Sequence, residues 1–328
     1  MGEHLVPAKR TTILRWTGRG RLSDLQSSVE HMLGENGIRG IVSAVGGSVT
    51  VQGPEPLGVA VLFGKMPGVA WVAAGMTGRT LSELSVASAT IAKKYLREAE
   101  RFSVEAEGAG DTPSADVGGA VTSRILEAVK GSRVSAASPK VRFRAVFDGD
   151  AGAVGVEVKM GPGGIPTGNV SVACLVSGGI HSSITAWSAL LGGYRVRLVH
   201  AMRSDEALRA VARLYSELSH RADPRGLSLE VLEGDSIVGA LSDYANRSEE
   251  AVFAGFTPSA DENLHRLPKV HAPLYLMPEE RFLAEFEDLH VRGTDAREDW
   301  EEKGRGERRV RAFGGKAGGV SAVLDGLR

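Results

Sequence analysis

The feature that most constrains the fold is an apolar strand that runs directly into a glycine loop. Residues 170–176 form an apolar run of strand length, interrupted only by Ser171, which is typical of a strand covered on both faces. The sequence Ser-Gly-Gly-Ile-His-Ser follows at residues 177–182, and a helical pattern covers residues 183–191. A buried strand, a glycine turn and a helix in this order predict an α/β unit with a ligand site at the loop.

Further strands and helices alternate after the glycine loop. Residues 194–200, 227–232 and 251–256 have strand patterns, and residues 204–221 have a helical one. Such alternation is typical of parallel sheets covered by helices on both faces. We therefore predict a doubly wound α/β domain over residues 167–290.

The residues before this domain read as shorter mixed segments. Residues 11–16, 69–74 and 101–106 have strand patterns, and residues 22–33 and 81–101 have helical patterns. In residues 140–145 apolar side chains alternate with basic ones, so Val141, Phe143 and Ala145, together with Phe147, share one face of a strand. We predict two small α+β domains, over residues 1–77 and 78–166, and a charged, partly flexible tail over residues 291–328.

Composition limits the class of protein. The formal net charge is -1 and there is one cysteine, Cys174, so an internal disulfide is excluded and a reducing compartment is indicated. No apolar run approaches the roughly 20 residues of a membrane span. We predict a cytoplasmic protein that does not insert into membranes. The spacing of His265, His271 and His290 does not match a zinc site, so we predict no metal site of that type.

The glycine loop has the chemistry of a phosphate site. Two glycines let successive backbone N–H groups converge on one point, and the following helix directs its positive end there. The loop has neither the Walker A pattern nor the dinucleotide fingerprint, and a purely structural turn is the alternative. We assign no catalytic residue. The candidate phosphate-binding residues are Ser177, Gly178, Gly179, Ile180, His181 and Ser182, with His200 at the end of the next strand.

Residues 174–183, followed by the strand at 196–200, resemble the pyrophosphatase loop (PP-loop) of the tRNA 4-thiouridine synthetase family (ThiI-like). The resemblance implies a ferredoxin-like domain over residues 1–77, a THUMP domain over 78–166 and a PP-loop ATP pyrophosphatase domain over 167–290. It also implies binding of tRNA through the THUMP domain, ATP and Mg as cofactors, adenylation of a uridine, and sulfur transfer from a cysteine persulfide. A homodimer is a further implication.

Three departures from the family pattern change this expectation. His181 stands at an acidic position of the family loop, and Gly255-Phe256-Thr257 replaces a stretch that contains a second acid. The only cysteine of the sequence, Cys174, lies inside the apolar strand. We therefore expect a ThiI-like protein that binds tRNA and ATP but does not transfer sulfur itself, so that a separate protein would be the sulfur donor.

The basic residues expected to contact RNA form a local patch. The acidic residues Glu105, Glu107 and Asp111 stand where the family has basic ones. The candidate RNA-binding residues are Lys93, Lys94, Arg97, Lys140, Arg142 and Arg144. The last three alternate with apolar residues and are expected to point to one side of their strand. A merely solvated strand face is the alternative.

Two other functions are also consistent with the sequence. A non-catalytic RNA-binding or accessory protein with a relic PP-loop domain would explain the loss of both acids. An ATP-dependent adenylating enzyme with another substrate would explain why both glycines and both serines of the loop are retained.

Overall fold

The computed structural model describes residues 8–202, 204–233, 236–255, 267 and 269–273, and the backbone of 310–314. The fold is α/β, and the chain divides into two compact units between Pro166 and Thr167. The predicted limit at residue 166 lies at the same place. Within the described residues, no helix has the length and apolar character needed to cross a membrane.

The front unit begins with the β-α-β-β-α-β succession of a ferredoxin-like fold. Its elements are β1 (Arg10–Trp16), α1 (Leu22–Glu35), β2 (Ile41–Val45), β3 (Ser48–Gln52), α2 (Pro56–Phe63) and β4 (Val69–Gly78). The strands pair antiparallel in the order β2-β3-β1-β4. Gly46 and Gly47 form the turn between β2 and β3, and both adopt positive φ values, of 50° and 71°.

The second part of the front unit extends the same sheet. It contains α3 (Leu81–Tyr95), β5 (Arg101–Gly108), α4 (Ser114–Ala128), β6 (Arg133–Val134), β7 (Val141–Phe147) and β8 (Gly152–Gly163). Since β4 pairs with β8, all eight strands form one sheet in the order β2-β3-β1-β4-β8-β7-β5-β6. The predicted limit at residue 77 therefore falls inside β4. The two predicted small domains are joined in one sheet by the hydrogen bonds between β4 and β8.

Both faces of this sheet are buried. Residues such as Leu14, Val72 and Phe143 pack with the helices. The opposite face holds a separate small cluster, and an ion pair of 2.6 Å joins Arg15 of β1 to Glu107 of β5 across it. A contact between strands so far apart in the sheet order shows that the sheet is strongly curved around this second cluster.

The back unit contains β9 (Ser171–Leu175), α5 (Ile180–Leu191), β10 (Arg195–Ala201), α6 (Asp205–Ser219), β11 (Leu227–Leu232), α7 (Ile237–Arg247), β12 (Ala251–Ala254), β13 (Val270–His271) and β14 (Val310–Gly314). A short 3-10 turn, Pro224–Gly226, precedes β11. The sheet order is β13-β12-β9-β10-β11-β14. The first five strands in this order are parallel, and β14 is antiparallel to β11.

Helices cover both faces of the second sheet, which confirms the doubly wound prediction. Alternate residues of β9 separate onto the two faces, with Cys174 in the cluster that includes α5 and α6 residues, and Ala173 in the cluster that includes Ala245 of α7. The next two strands in sequence, β10 and β11, lie on one side of β9, and β12 pairs on its other side. The loop after β9 therefore lies at the topological switch point, where such folds bind ligands.

One strand lies within the predicted tail. Val310–Gly314, expected in a partly flexible segment, is a strand that covers the edge of β11. The remaining tail residues lie outside the described residues, as do Phe256, Thr257, His265 and His290.

Candidate phosphate-binding loop and RNA groove

Gly178 is the residue that fixes the shape of the loop. Its φ is +85°, a left-handed conformation that glycine adopts without strain. A Cβ at this position would lie 2.8 Å from the Cβ of Ala210 and 3.3 Å from the carbonyl oxygen of Ala207, both in α6. The loop backbone thus packs directly against α6, and only a residue without a side chain allows this approach.

Gly179 is the residue that directly precedes α5. It occupies the N-cap position with φ −84° and, as a glycine, has no side chain that could accept a hydrogen bond from the first turn of the helix. That first turn contains no acidic residue. Backbone N–H groups at a helix N-terminus attract anions, because they carry the positive end of the helix dipole. The start of α5, including Ile180 and His181, is therefore suited to a phosphate group.

The two serines of the loop bond within it. The Ser182 hydroxyl donates to the carbonyl oxygen of Gly179 at 2.9 Å and accepts from the backbone N–H of Ser177 at 3.3 Å. The Ser177 hydroxyl accepts a longer bond, 3.4 Å, from the N–H of Gly179. Ser182 is buried and Ser177 is exposed. Ser182 therefore holds the loop closed, whereas Ser177 remains accessible to a ligand.

Gly255 completes the loop from the neighbouring strand. It follows β12, and a Cβ there would lie 2.4 Å from the carbonyl carbon of His181 and 2.6 Å from the backbone nitrogen of Ser182. Sequence reasoning noted this position only for its missing acid. Its structural role is the close contact between the end of β12 and the first turn of α5, which a glycine alone permits.

His200 lies beneath the loop. Its Nδ1 is 2.8 Å from the carbonyl oxygen of Val176, the residue before the loop, and the side chain is 1% exposed. Burial lowers the pKa of His200 below 6.5, partly opposed by the bond to Val176, so the ring is neutral and Nδ1–H is the donor. Nε2 is buried without a hydrogen-bond partner among the described residues. The side chain of His200 therefore supports the loop by bonding to the backbone carbonyl of Val176.

This histidine makes the stability of the back unit depend on pH. The unfolded state binds a proton at a pKa near 6.5, whereas the folded state binds it only at lower pH. The free energy of unfolding should therefore fall as pH drops below 6.5, by at most about 1.4 kcal/mol per pH unit, until the folded pKa is reached. We expect His200→Asn to reduce this slope in urea unfolding measured from pH 7.5 to 5. An unchanged slope in the variant would contradict the assignment.

Cys174 is enclosed in the core of the back unit. Its side chain is fully buried in β9, and burial raises the pKa of its thiol far above the ordinary value. A buried neutral thiol does not act as a nucleophile. The expectation that Cys174 is an inert core residue agrees with this geometry.

Three of the predicted RNA-binding residues line one groove of the front unit. The groove has a volume of about 620 Å³, and its lining includes Arg97 at the end of α3 and Lys140 and Arg142 at the start of β7. Tyr95, which is not among the candidates predicted from the sequence, also lines it and is 39% exposed. Tyr95 could have been predicted from its position among basic residues near the end of α3, since aromatic rings next to cations are typical of sites for unpaired bases. We refer to this as the α3–β7 groove.

A strained turn shapes the rim of the groove. The Glu100 carboxylate accepts from the backbone N–H of Arg97 at 2.9 Å, and Ala99 between them has φ +60°. Non-glycine residues adopt this conformation only at an energetic cost. Lys93 and Lys94 are exposed in the last turn of α3, and the Lys94 ammonium lies 5.1 Å from the centre of the Tyr95 ring. The two lysines therefore lie beside Tyr95 but are not part of the groove lining.

Arg144 differs from the prediction. It lies on the same strand face as Arg142, but its side chain is only 8% exposed and forms ion pairs with Glu105 and Glu157. Its guanidinium also lies 5.0 Å from the centre of the Trp71 ring. The curvature of the sheet encloses this part of β7, so Arg144 stabilises the front unit and does not present a charge to RNA.

Two solved structures share this architecture. No protein-family model and no curated protein matches the sequence. A crystal structure of PH1313 from Pyrococcus horikoshii has a TM-score of 0.70 at 17% identity, covering 85% of this chain and 99% of that one. A 4-thiouridine synthetase, crystallised as an RNA complex with bound ATP, has a TM-score of 0.67 at 16% identity, covering 86% and 85%. The chain thus has the same α/β fold as these two proteins.

Proposed function

We propose that this protein binds a nucleotide at the loop between β9 and α5 and binds RNA, in the first instance tRNA, at the α3–β7 groove. The observation that carries the nucleotide site is the first turn of α5, which begins at a glycine N-cap, contains no acidic residue and is held at the switch point of the sheet by Gly178 and Gly255. The fold shared with a synthetase that binds RNA and ATP supports the pairing of these two ligands.

The loop residues have separate roles in this proposal. Backbone N–H groups of the first turn of α5 bind the phosphate, and the exposed Ser177 hydroxyl adds a donor. His200 holds the carbonyl of Val176 and so fixes where the loop begins. ATP is the proposed nucleotide. If it is cleaved, the chemistry is adenylation of an RNA base with release of pyrophosphate.

Sulfur transfer within this chain is not part of the proposal. The only cysteine of the sequence is enclosed in β9, where neither a persulfide nor an attacking thiolate has room or solvation. A thiolation reaction on this protein would therefore require a separate sulfur donor protein.

Gly179→Asp tests the nucleotide site without disturbing the fold. Position 179 has an ordinary φ, and the nearest atom to an added Cβ is the Ser177 hydroxyl oxygen at 3.4 Å. Aspartate is a favourable N-cap residue, so the variant should fold at least as stably as the parent. Its carboxylate occupies the N–H groups of α5 and repels phosphate. We expect calorimetric titration with ATP, with and without magnesium, to show binding weakened at least 100-fold.

Gly168→Asp is the matched control. It adds the same charge before the amino end of β9, at the opposite end of the sheet from the loop, where an added Cβ lies 3.5 Å from its nearest neighbour. ATP affinity should be unchanged. If the parent protein binds no ATP, or if Gly179→Asp binds it as well as the parent, the nucleotide site is wrong. RNA binding without ATP binding would favour the relic PP-loop alternative.

Replacing the three cations of the α3–β7 groove tests the RNA site. Arg97, Lys140 and Arg142 are exposed, so their change to alanine should leave the fold intact. Each phosphate contact contributes about 0.7–0.9 to the slope of log affinity against log salt concentration. We expect the triple variant to reduce that slope for tRNA by about 2 to 3, as measured by filter binding at several salt concentrations.

The control for the RNA measurement removes three exposed arginines outside the groove. Arg19, Arg39 and Arg79 lie in other surface segments of the front unit. Their alanine variant should keep most of the parent slope. Equal losses in the two triple variants would show that charge alone, and not the groove, determines RNA affinity.

A further inference from the structure

The loop lacks the oxygen ligands that magnesium requires. Proteins hold Mg²⁺ through one or two carboxylates together with the phosphates of the nucleotide. The first turn of α5 has no acidic residue, and His181 occupies its second position. Imidazole is a poor ligand for this hard cation. The loop and the helix start therefore supply no side chain suited to a magnesium ion.

The hydroxyls of the loop do not replace a carboxylate. Ser182 uses its proton in the bond to the Gly179 carbonyl and accepts from the Ser177 N–H. A hydroxyl that closes a backbone turn in this way cannot turn toward a metal without opening the loop. Ser177, which is exposed, would be a single neutral ligand.

Two acidic residues begin the helix that follows β10. Asp205 and Glu206 are exposed in the first turn of α6, where the helix dipole accounts for acidic residues. No group of three or more histidine, cysteine, aspartate or glutamate side chains suited to a metal ion occurs in the part of the chain that the structure describes. Among the residues that the structure describes, the donor set of the loop does not match a resident magnesium ion.

The backbone offers another way to neutralise a phosphate. The N-cap residue of α5 is a glycine without a capping side chain, and the peptide dipoles at the start of the helix attract negative charge without a metal. On the basis of the proposed nucleotide site, we propose that the loop binds the phosphates of its nucleotide in the metal-free form. Magnesium then gives no gain in affinity, because it neutralises charge and occupies oxygen lone pairs of the same phosphates that the N–H groups bind.

Titration in the presence and absence of magnesium tests this inference. The full chain is titrated calorimetrically with ATP and with inorganic pyrophosphate, once in EDTA and once in excess Mg²⁺. The expected result is a Kd in EDTA at least as low as that in magnesium, for both probes. A Kd lowered 10-fold or more by magnesium would overturn the inference while leaving the nucleotide site in place. Absence of binding in both buffers would overturn the site itself, and the inference with it.

A charge change at position 181 provides a second measurement. His181→Asp places a carboxylate in the first turn of α5, where acidic residues are favourable for the helix. In EDTA we expect at least 10-fold weaker binding of pyrophosphate than in the parent, and magnesium should restore it. Gly168→Asp should show neither effect. If His181→Asp binds pyrophosphate in EDTA as tightly as the parent, the phosphate does not lie at this turn and the inference is wrong.

Discussion

Replacing Arg144 by alanine should lower the free energy of unfolding of the front unit by about 3 kcal/mol or more, the cost of breaking a buried ion pair. The guanidinium is 8% exposed and lies 2.5 Å from the carboxylate of Glu157, which is itself 14% exposed. Removing the arginine leaves that carboxylate enclosed without a counter-ion. It also removes the contact with the Trp71 ring.

Arg142→Ala is the internal control for this prediction. Arg142 lies two residues earlier on the same strand face and is exposed, so its loss should change the free energy of unfolding by less than about 0.5 kcal/mol. Urea unfolding followed by tryptophan fluorescence compares the two variants. Equal stabilities would show that Arg144 is not held by the ion pairs of the structure.

Replacing Gly178 by alanine should destabilise the back unit by about 2–4 kcal/mol, from left-handed strain together with overpacking. The φ of +85° disfavours any side chain, and the new methyl group would lie 2.8 Å from the Cβ of Ala210. To relieve this contact the loop must move away from α6. Nucleotide binding should be lost together with stability.

Gly179→Ala is the matched control, since it adds the same methyl group one residue later. Its φ is −84° and the nearest atom is 3.4 Å away. We expect a change in unfolding free energy of less than about 1 kcal/mol. If both variants unfold at the same urea concentration, the packing of Gly178 against α6 is not as described.

Local patterns predicted the elements of both units well. The apolar run before the loop and the alternation in β7 were sufficient to place these strands. A strand buried on both faces has a continuous apolar sequence, and a strand buried on one face has an alternating one. The doubly wound order of the back sheet followed from the succession of strands and helices. The joining of the two front segments into one sheet did not, because pairing of β4 with β8 links residues far apart in sequence.

The candidate site was predictable where it depends on one continuous segment. The loop residues were selected from the glycine pattern, but the contact of Gly255 with the start of α5 requires the tertiary fold. The same limit explains Arg144. Alternation correctly placed it on the polar face of β7, yet only the curvature of the sheet reveals that this face is closed by Glu157 and Trp71.

The central claim is that backbone N–H groups of the loop bind phosphate, and amide NMR measures this directly. A ¹⁵N-labelled sample is titrated with ATP, and the amide signals of residues 178–182 are followed. The account predicts saturable downfield shifts concentrated in these residues, and no such shifts in Gly179→Asp. Shifts that are absent from the loop, or that cluster instead around Arg97 and Arg142 in the α3–β7 groove, would contradict it.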